Sequence, residues 1–393
     1  MNSLSQINFK DKVALIRVDF NVSLTSKGKV ADSTRIDLSL PTINYIIEHG
    51  GTPVIITHFG RPGGKRTKED ALDAIADYLE KSLEKEVLYV EDTDPELLEA
   101  AIENAKTEGQ IVLFENLRFF PGEEKNDPDF AKFFAEFADV YVNEAFSASH
   151  RAHASIVGIP KLVNETCIGL LFAKEIKAIK SVIDKNKTPM TLILGGAKID
   201  TKAGLIKRFI GKCDNFLIGG ALANTFLEAS GYDIGLSKSE KDKVELAQET
   251  MLAIEKEKEK ILIPVDAIVC DEAHENAFCA DLKVDSIEGN MKILDIGKET
   301  VEQFINVINQ SKTIIWNGPV GYFEIKKFAG ATKLIAEAIA KRKDAQTLIG
   351  GGDTVDALKK LGIDFSEFTH VSTAGGAMIE YVEKGTLPGI AAL

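Results

Sequence analysis

Short apolar runs alternate with longer stretches of helical periodicity along almost the whole chain. Runs such as residues 111–115 and 140–143 are typical of buried strands, and stretches such as residues 71–83 carry apolar residues at helical spacing. Strands that alternate with helices in this way favour βαβ units, in which neighbouring strands run parallel. The sequence therefore predicts an α/β fold with doubly wound parallel sheets.

The length of 393 residues exceeds what one core ordinarily holds, so two domains of about 150–200 residues are expected. Residues 165–183 are predicted to form one long amphipathic helix, and no Gly/Ser-rich linker follows. We expect a first domain over residues 1–170 and a second over residues 171–373, joined by that helix. The predicted strands are residues 13–19, 54–57, 87–90, 111–115, 140–143, 191–194, 216–218, 261–264, 313–316, 347–349 and 370–372.

Net charge and composition exclude several classes of protein. A formal net charge of -13 disfavours binding to the phosphate backbone of nucleic acids, because such proteins carry a basic face. The polar start resembles no secretory signal, and no apolar run approaches the ~18 residues that span a membrane. Free thiols are predicted, because no CxxC pair occurs among Cys167, Cys213, Cys270 and Cys279. These features predict a cytoplasmic location without nucleic-acid or membrane partners.

Arginine is scarce, and six of its eight positions lie in the first 151 residues. Its rigid fork suits bidentate binding of carboxylates and phosphates. Arg61, Arg118 and Arg151 each follow a predicted strand, and Arg35 lies beyond Asp19-Phe20-Asn21. Ligands of open parallel sheets bind outside the carboxyl ends of the strands, so these residues predict a pocket for a small anion.

Each arginine also has a plainer interpretation, because a single arginine at a strand end is more often part of a surface ion pair. Four of them beside histidine and asparagine favour the anion pocket. Arg17, inside a strand, and Arg66, in a basic loop, are interpreted as structural. His150 and His153 lack a third ligand at matching spacing, so a zinc site is not expected.

In the second half, four predicted strands end in glycines and lead into helices, at residues 194–198, 218–221, 349–354 and 372–376. Glycine lets backbone N–H groups approach a phosphate, and the helix N-terminus adds partial positive charge. One such turn serves packing as often as binding, but four together predict phosphate binding. Lys198 and Lys202 are expected on one helix face, and Asp353 is either an N-cap or a carboxylate for Mg²⁺.

Two common nucleotide-binding motifs do not occur. The chain has no G-x-x-x-x-G-K-[ST], which disfavours a P-loop NTPase. It also has no G-x-G-x-x-G after a strand, which disfavours an NAD-dependent dehydrogenase. That dehydrogenase and a non-catalytic anion- or nucleotide-binding scaffold remain the alternatives, although a scaffold has no use for two lysines and Asp353 together.

Taken together, the motifs resemble the phosphoglycerate kinase family from end to end. The segments that carry the resemblance are residues 17–22 (RVDFNV), 58–62 (HFGRP), 115–119 (ENLRF), 150–153 (HRAH), 195–198 (GGAK), 316–321 (WNGPVG), 350–354 (GGGDT) and 387–389 (LPG). The resemblance implies two doubly wound domains that face each other across a cleft. It also implies that residues 374–393 pack back on the first domain.

The resemblance further implies reversible phosphoryl transfer between 1,3-bisphosphoglycerate and ADP by a monomer, with Mg²⁺ and ATP/ADP. By matched motif, 3-phosphoglycerate is expected on Asp19, Phe20, Asn21, Arg35, His58, Phe59, Gly60, Arg61, Arg118 and Arg151. The nucleotide is expected on Lys202, Asn317, Glu324, Gly350, Gly351, Gly352, Asp353 and Thr354, with Asp353 on Mg²⁺. Arg35, Lys198 and Lys202 are the expected catalytic residues.

The chain departs from the usual family pattern at Ser23, Glu144, Ser147 and Ala374. None of these departures removes an arginine or lysine of the expected site. The acceptor carboxylate is already ionised at neutral pH, so the reaction needs no general base. Catalysis is then alignment and charge stabilisation, and hinge closure about residues 165–183 is expected to bring the two substrates together.

Overall fold

The computed structural model describes residues 1–184 and 187–393. Lys185 and Asn186, in the segment after the predicted connecting helix, lie outside the described residues. The described chain divides into two units. Unit 1 comprises Met1–Ile176 and Thr386–Leu393, and unit 2 comprises Lys177–Gly385.

Unit 1 contains a wholly parallel sheet in the order β1-β7-β6-β2-β3-β5-β4, and all of its residues are described. Its strands are β1 (Asn2–Ser3), β2 (Val13–Arg17), β3 (Thr52–Ile56), β4 (Val87–Val90), β5 (Ile111–Phe114), β6 (Val140–Asn143) and β7 (Glu165–Ile168). Every residue of β2, β3, β5 and β6 is buried, which explains their continuous apolar runs.

Helices cover both faces of this sheet. They are α1 (Thr34–Glu48), α2 (Asp73–Leu83), α3 (Pro95–Glu108), α4 (Pro121–Glu124) and α5 (Pro128–Ala135). Alternate residues of β2 enter different core clusters: Ala14 and Ile16 belong to one, Val13 and Leu15 to the other. The predicted doubly wound arrangement is confirmed, because each face of the sheet has its own core.

The long helix predicted over residues 165–183 is wrong in its first turn. Residues 165–168 form β7, which pairs with β6, and α6 (Leu170–Asp184) begins after Gly169. The buried Glu144 accepts hydrogen bonds from Leu171 N at 3.1 Å and Phe172 N at 3.1 Å, and so caps the helix. A Cβ on Gly169 would lie 2.0 Å from the Glu144 carboxylate, so the strand-to-helix turn requires glycine there.

In the described part of unit 2, six strands form a parallel sheet in the order β10-β9-β8-β14-β15-β16, and three form an antiparallel sheet in the order β12-β11-β13. The strands are β8 (Met190–Leu194), β9 (Asn215–Ile218), β10 (Lys260–Leu262), β11 (Asp266–Cys270), β12 (Cys279–Lys283), β13 (Lys292–Ile296), β14 (Thr313–Asn317), β15 (Gln346–Gly350) and β16 (His370–Val371). The helices are α7 (Asp200–Phe209), α8 (Gly220–Ala229), α9 (Val244–Lys256), α10 (Lys298–Gln310), α11 (Gly330–Ala340), α12 (Gly352–Lys360) and α13 (Gly376–Lys384). No helix within residues 1–184 or 187–393 has the length and apolar character to cross a membrane.

The antiparallel sheet was not predicted, and it overturns one prediction about the cysteines. Cys270 and Cys279 stand opposite each other on β11 and β12 and form a disulfide, so these two are not free thiols. Cys167 and Cys213 are free and buried, as expected. The β11–β12 hairpin brings together two cysteines that are nine residues apart in the chain.

The units divide the chain at points that differ from the predicted domain limits. The first boundary falls inside α6 at residues 176/177 rather than at 170/171. α13 groups with unit 2, where it packs on α7 and buries residues such as Met378 and Tyr381. In the last stretch, which includes α14 (Pro388–Ala391), Gly389 N donates to Ser149 O at 2.9 Å within unit 1.

Replacing Glu144 with glutamine is expected to reduce the pH dependence of stability. Burial raises the pKa of Glu144 to about 7, against the hydrogen bonds from Thr42, Leu171 and Phe172. The folded state therefore holds the proton more tightly than the unfolded state, and stability is lost as the pH rises toward 7. Between pH 5 and pH 8, the wild type should lose about 2 kcal/mol more of its free energy of unfolding than Glu144→Gln does.

Denaturant unfolding of both proteins at the two pH values measures this difference. Glu108→Gln, at an exposed position of α3, is the matched control and should keep the wild-type pH dependence. An equal loss of stability in wild type and Glu144→Gln would contradict the expectation.

Candidate functional site

The arginines predicted to form a rim follow the four central strands of unit 1, which are neighbours in the order β6-β2-β3-β5. Asp19 to Asn21 follow β2, His58 to Arg61 follow β3, Arg118 follows β5 and Arg151 comes after β6. Arg35 is the second residue of α1, the helix that follows β2. The unit 1 rim comprises the polar members of this group: Asp19, Asn21, Arg35, His58, Arg61, Arg118 and Arg151.

Asp19 is the centre of the rim. Its carboxylate accepts a hydrogen bond from Arg35 Nη1 at 2.7 Å and another from the Ser147 hydroxyl. His58 Nε2 lies 3.9 Å from the same carboxylate. Burial acts to raise the pKa of Asp19, but the charge of Arg35 and the hydrogen bond from Ser147 hold it well below its ordinary value. Asp19 is therefore ionised and orients Arg35.

His58 is buried, and its tautomer follows from a neighbouring guanidinium. Arg17 Nη2 lies 3.2 Å from His58 Nδ1. A guanidinium only donates, so Nδ1 accepts and the proton of the neutral ring lies on Nε2. Burial lowers the pKa of His58 well below its ordinary value, and Arg17, Arg118 and Arg151 lower it further, against the opposing effect of Asp19. His58 thus offers the rim a neutral N–H donor.

Arg17 was interpreted as structural, but it connects a buried acid to the rim. Its side chain is 1% exposed, and Nε donates to Ser155 Oγ at 2.7 Å. Ser155 in turn donates from Oγ to Glu123 at 2.6 Å, and Arg17 Nη2 lies 4.0 Å from the same carboxylate. An arginine inside an apolar strand needs such a partner, and this requirement was the one sequence signal for its role.

Asn21, Gly60 and Arg118 join the loops after β2, β3 and β5. Gly60 N donates to Asn21 Oδ1 at 3.0 Å, and Arg118 Nη1 donates to Gly60 O at 2.5 Å. Gly60 has a φ of 58°, and a Cβ there would lie 1.9 Å from Asp70 Oδ1. The loop after β3 therefore depends on glycine at this position.

The other predicted rim residues differ in exposure. Arg61 is exposed and Arg151 half-buried, with Arg151 Nε 3.4 Å from His150 Nε2. The rings of Phe20 and Phe59 are buried in the apolar core, which leaves their backbones as the groups for the predicted contact with substrate. Arg66 is structural as interpreted: Nη2 donates to Glu91 at 2.6 Å and to Glu115 at 2.8 Å.

In unit 2, three N–H groups of the first two glycine turns are engaged in packing. Gly195 N donates to Asn317 O at 2.9 Å, Gly196 N to Pro319 O at 2.9 Å and Gly220 N to Val320 O at 2.8 Å. A Cβ on Gly195 would lie 2.1 Å from Pro319 O. These glycines therefore allow the close approach of residues 317–320, and phosphate binding at the two turns stays a prediction.

The third turn, residues 350–354, is organised by Asn317 and Thr354. Asn317 is fully buried and donates from Nδ2 to Gly350 O at 2.8 Å. Thr354 donates to the same oxygen at 3.0 Å and accepts from Gly318 N at 2.7 Å. Gly351 has a φ of 102°, and a Cβ there would lie 2.5 Å from the Asn317 amide. These contacts present Gly352 and Asp353 at the start of α12.

The two lysines occupy different environments. Lys202 is 8% exposed, and its ammonium group donates to Asn317 Oδ1. Burial lowers the pKa of Lys202 to about 8, while the charge of Asp353 acts to raise it. Lys198 is exposed and precedes α7, which begins at Asp200, so the predicted common helix face is wrong.

A cavity of about 390 Å³ opens beside these turns. Its lining includes Gly196, Gly220, Pro264, Leu294, Asp295, Val320, Phe323, Glu324 and Asp353. Asp295 is buried and accepts from Ala331 N at 3.0 Å, and burial raises its pKa to about 7. The contribution of β13 to this wall was missed, although residues 292–296 include two isoleucines and a leucine.

Comparison with known proteins identifies the family. The family model described as Phosphoglycerate kinase matches residues 4–385. The phosphoglycerate kinase of Synechococcus elongatus is 42% identical over 393 residues, which cover 100% of this chain and 97% of that protein. The solved phosphoglycerate kinase of Coxiella burnetii is similar with a TM-score of 0.88 and 36% identity, and covers 100% of this chain and 98% of its own. The enzyme of Pyrococcus horikoshii OT3 has a TM-score of 0.84 and 31% identity, with the same coverage. The chain belongs to the phosphoglycerate kinase family.

Proposed function

We propose that the unit 1 rim binds 3-phosphoglycerate and that the unit 2 cavity binds ATP or ADP with Mg²⁺. As a member of its family, the chain is a phosphotransferase with a carboxyl acceptor, which converts 1,3-bisphosphoglycerate and ADP to 3-phosphoglycerate and ATP in glycolysis. The observation that supports the rim assignment is the arrangement at Asp19, where a buried carboxylate orients Arg35 beside the neutral donor His58.

The rim fits a small trianion. Arg61, Arg118 and Arg151 supply planar forks that bind carboxylate and phosphate oxygens bidentately. Burial lowers the pKa of Arg118, and the nearby charge of Arg151 lowers it further. An anion bound between these two arginines relieves their repulsion, which stabilises the complex.

The unit 2 cavity fits a nucleoside with its phosphates directed toward Lys202 and α12. The apolar side chains of Leu294, Val320 and Phe323 suit the flat face of a base, and Glu324 is placed to accept from ribose hydroxyls. The start of α12 and the Lys202 ammonium provide positive potential for phosphates.

Asp353 is the residue that we propose for Mg²⁺. Asp353 is exposed at the first turn of α12 and lines the cavity. Mg²⁺ that is also bound by substrate phosphates usually takes only one or two carboxylates from the protein. Bound Mg²⁺ would neutralise charge on the nucleotide phosphates. Within the described residues, no group of three or more His, Cys, Asp or Glu side chains forms a metal cage by itself.

For the chemical step we propose stabilisation of charge without a general base. The 3-phosphoglycerate carboxylate is ionised and attacks the γ-phosphorus of ATP directly, while the bond from that phosphorus to the oxygen of the leaving ADP breaks. Arg35, held by Asp19 at 2.7 Å, and Lys202 are the cations that we assign to the transferring group. A bound phosphate raises the pKa of Lys202 above about 8, and so keeps it protonated.

Three further properties are proposed. All assigned residues belong to one chain, so a monomer suffices for catalysis. Phosphorylated substrates do not cross membranes unaided, which favours a cytoplasmic location beside the other enzymes that use them. Closure about α6 during turnover stays a prediction.

The test of the assignment is a coupled assay with ATP, Mg²⁺ and 3-phosphoglycerate in which each component is omitted in turn. We expect turnover only with all three present. Turnover of a nicotinamide cofactor without ATP would favour a dehydrogenase, and binding of the substrates without turnover would favour a scaffold.

Arg35→Lys should lower kcat by ~10-fold or more, because lysine keeps the charge but loses the planar fork held by Asp19. Steady-state kinetics in both directions measures the effect. Arg208→Lys, at an exposed position of α7, is the matched control and should retain wild-type kcat. Wild-type turnover in Arg35→Lys would assign Arg35 to substrate positioning alone.

In Arg17→Lys, the His58 ring should no longer be held in a single tautomer, and the KM for 3-phosphoglycerate should rise. Lysine keeps a charge beside Glu123 but cannot donate to Ser155 and His58 together. Nitrogen-15 NMR of the imidazole should show one tautomer in the wild type and a mixture in the variant. Arg66→Lys changes an exposed guanidinium that pairs with the buried Glu115, and should leave the His58 spectrum unchanged. An unaltered spectrum in Arg17→Lys would remove Arg17 from this role.

A further inference from the structure

The disulfide of unit 2 lies next to the wall of the proposed nucleotide cavity. Cys270 and Cys279 are directly opposite on the antiparallel strands β11 and β12, with Cα atoms 4.2 Å apart. The loop of residues 271–278, exposed except at Ala277, connects the two strands. The covalent bond therefore closes a short hairpin at its base.

This hairpin packs on the segment that carries Glu324. Cys270 and Ala277 form a small apolar cluster with Phe328, and Ile325 and Leu294 pack against it. Lys327 Nζ donates to Ala277 O at 2.5 Å. The hairpin thus holds residues 325–328 from one side, directly after Phe323 and Glu324, which are two of the residues that line the cavity.

The same cluster reaches the cavity by a second route. Leu294 belongs to both the cluster and the cavity wall, and Tyr322 N donates to Leu294 O at 2.8 Å. Movement of the hairpin would therefore act on two parts of the wall, the middle of β13 and residues 322–324.

The two sulfur atoms differ in access to solvent. Cys270 is 2% exposed, whereas Cys279 is half-buried and precedes exposed residues of β12. An incoming thiolate can reach Cys279 but not Cys270. The other cysteines are poor competitors, because burial raises the pKa of Cys167 and of Cys213 to about 12.

We propose that the Cys270–Cys279 pair is a reversible thiol–disulfide modification site whose oxidised form strengthens nucleotide binding. The reductant is a dithiol. One of its thiolates attacks Cys279 Sγ and displaces the Cys270 thiolate, and its second thiol then releases Cys279. The products are two cysteine thiols and one oxidised dithiol, so two electrons and two protons pass to the protein. Disulfides in a reducing compartment are usually redox-responsive, which agrees with the proposed cytoplasmic location.

Reduction should loosen the hairpin without unfolding it. Phe278 N still donates to Asp271 Oδ1 at 3.0 Å, so the loop keeps a non-covalent closure. The cavity wall becomes less ordered, and binding must then supply the ordering free energy. We expect the KM for ATP to rise about two- to fivefold and the KM for 3-phosphoglycerate to stay unchanged.

The experiment compares the full-length enzyme after glutathione disulfide with the same enzyme after dithiothreitol. Alkylation with iodoacetamide under denaturing conditions, followed by mass spectrometry, should label two cysteines in the first sample and four in the second. Steady-state kinetics on the same samples should show the rise in the KM for ATP on reduction. Hydrogen exchange should increase in residues 271–279 and 322–328, and remain unchanged in unit 1.

The double variant Cys270→Ser/Cys279→Ser should have the reduced-form KM and no response to dithiothreitol. The single variant Cys279→Ser replaces it if the double variant does not fold. Cys167→Ala, in unit 1, is the matched control and should respond to dithiothreitol like the wild type. Four labelled cysteines after glutathione disulfide, an equal KM for ATP in both forms, or a response that persists in the double variant would each overturn the proposal.

Discussion

All strands of the large sheet in unit 1 run in one direction, so the segments that leave β2, β3, β5 and β6 meet along one edge. This constraint brings Asp19, Arg118 and Arg151, which are far apart in the chain, into one rim. The strands beneath them are buried on both faces, and their side chains have no freedom for binding chemistry. The polar residues of this region are therefore concentrated where the strands end.

A rim rich in arginine would repel itself without buried acids. Glu123 compensates Arg17 from below, and Asp19 compensates Arg35 and faces His58 from within the rim. The hydrogen bonds at Glu123 and Asp19 also limit the cost of removing these charges from water. Arg17, held by Ser155 and Glu123, fixes which nitrogen of His58 carries the proton, so a structural ion pair determines which nitrogen donates into the rim.

Unit 2 carries the proposed nucleotide cavity, which needs backbone donors and a shaped wall. The end of β14 and the segment after it accept hydrogen bonds from N–H groups of the first two glycine turns, and this contact brings backbone within 2.1 Å of a Cβ position at Gly195. The third turn, at the start of α12, has Asn317 and Thr354 beneath it. The glycines therefore serve close packing as well as the proposed binding of phosphates.

The sequence by itself determined the α/β class, most of the strands and the residue types of both sites, because apolar periodicity and motif identity are local properties. It did not determine where α6 begins, since that depends on the contact of Glu144 with Gly169 across the sheet. Nor did it reveal the antiparallel sheet, the Cys270–Cys279 bond or the hydrogen bond from Arg17 to His58. Each of these features depends on which residues become neighbours in space. Only the tertiary structure decided this, because strand pairing and burial bring together positions that local sequence patterns treat as independent.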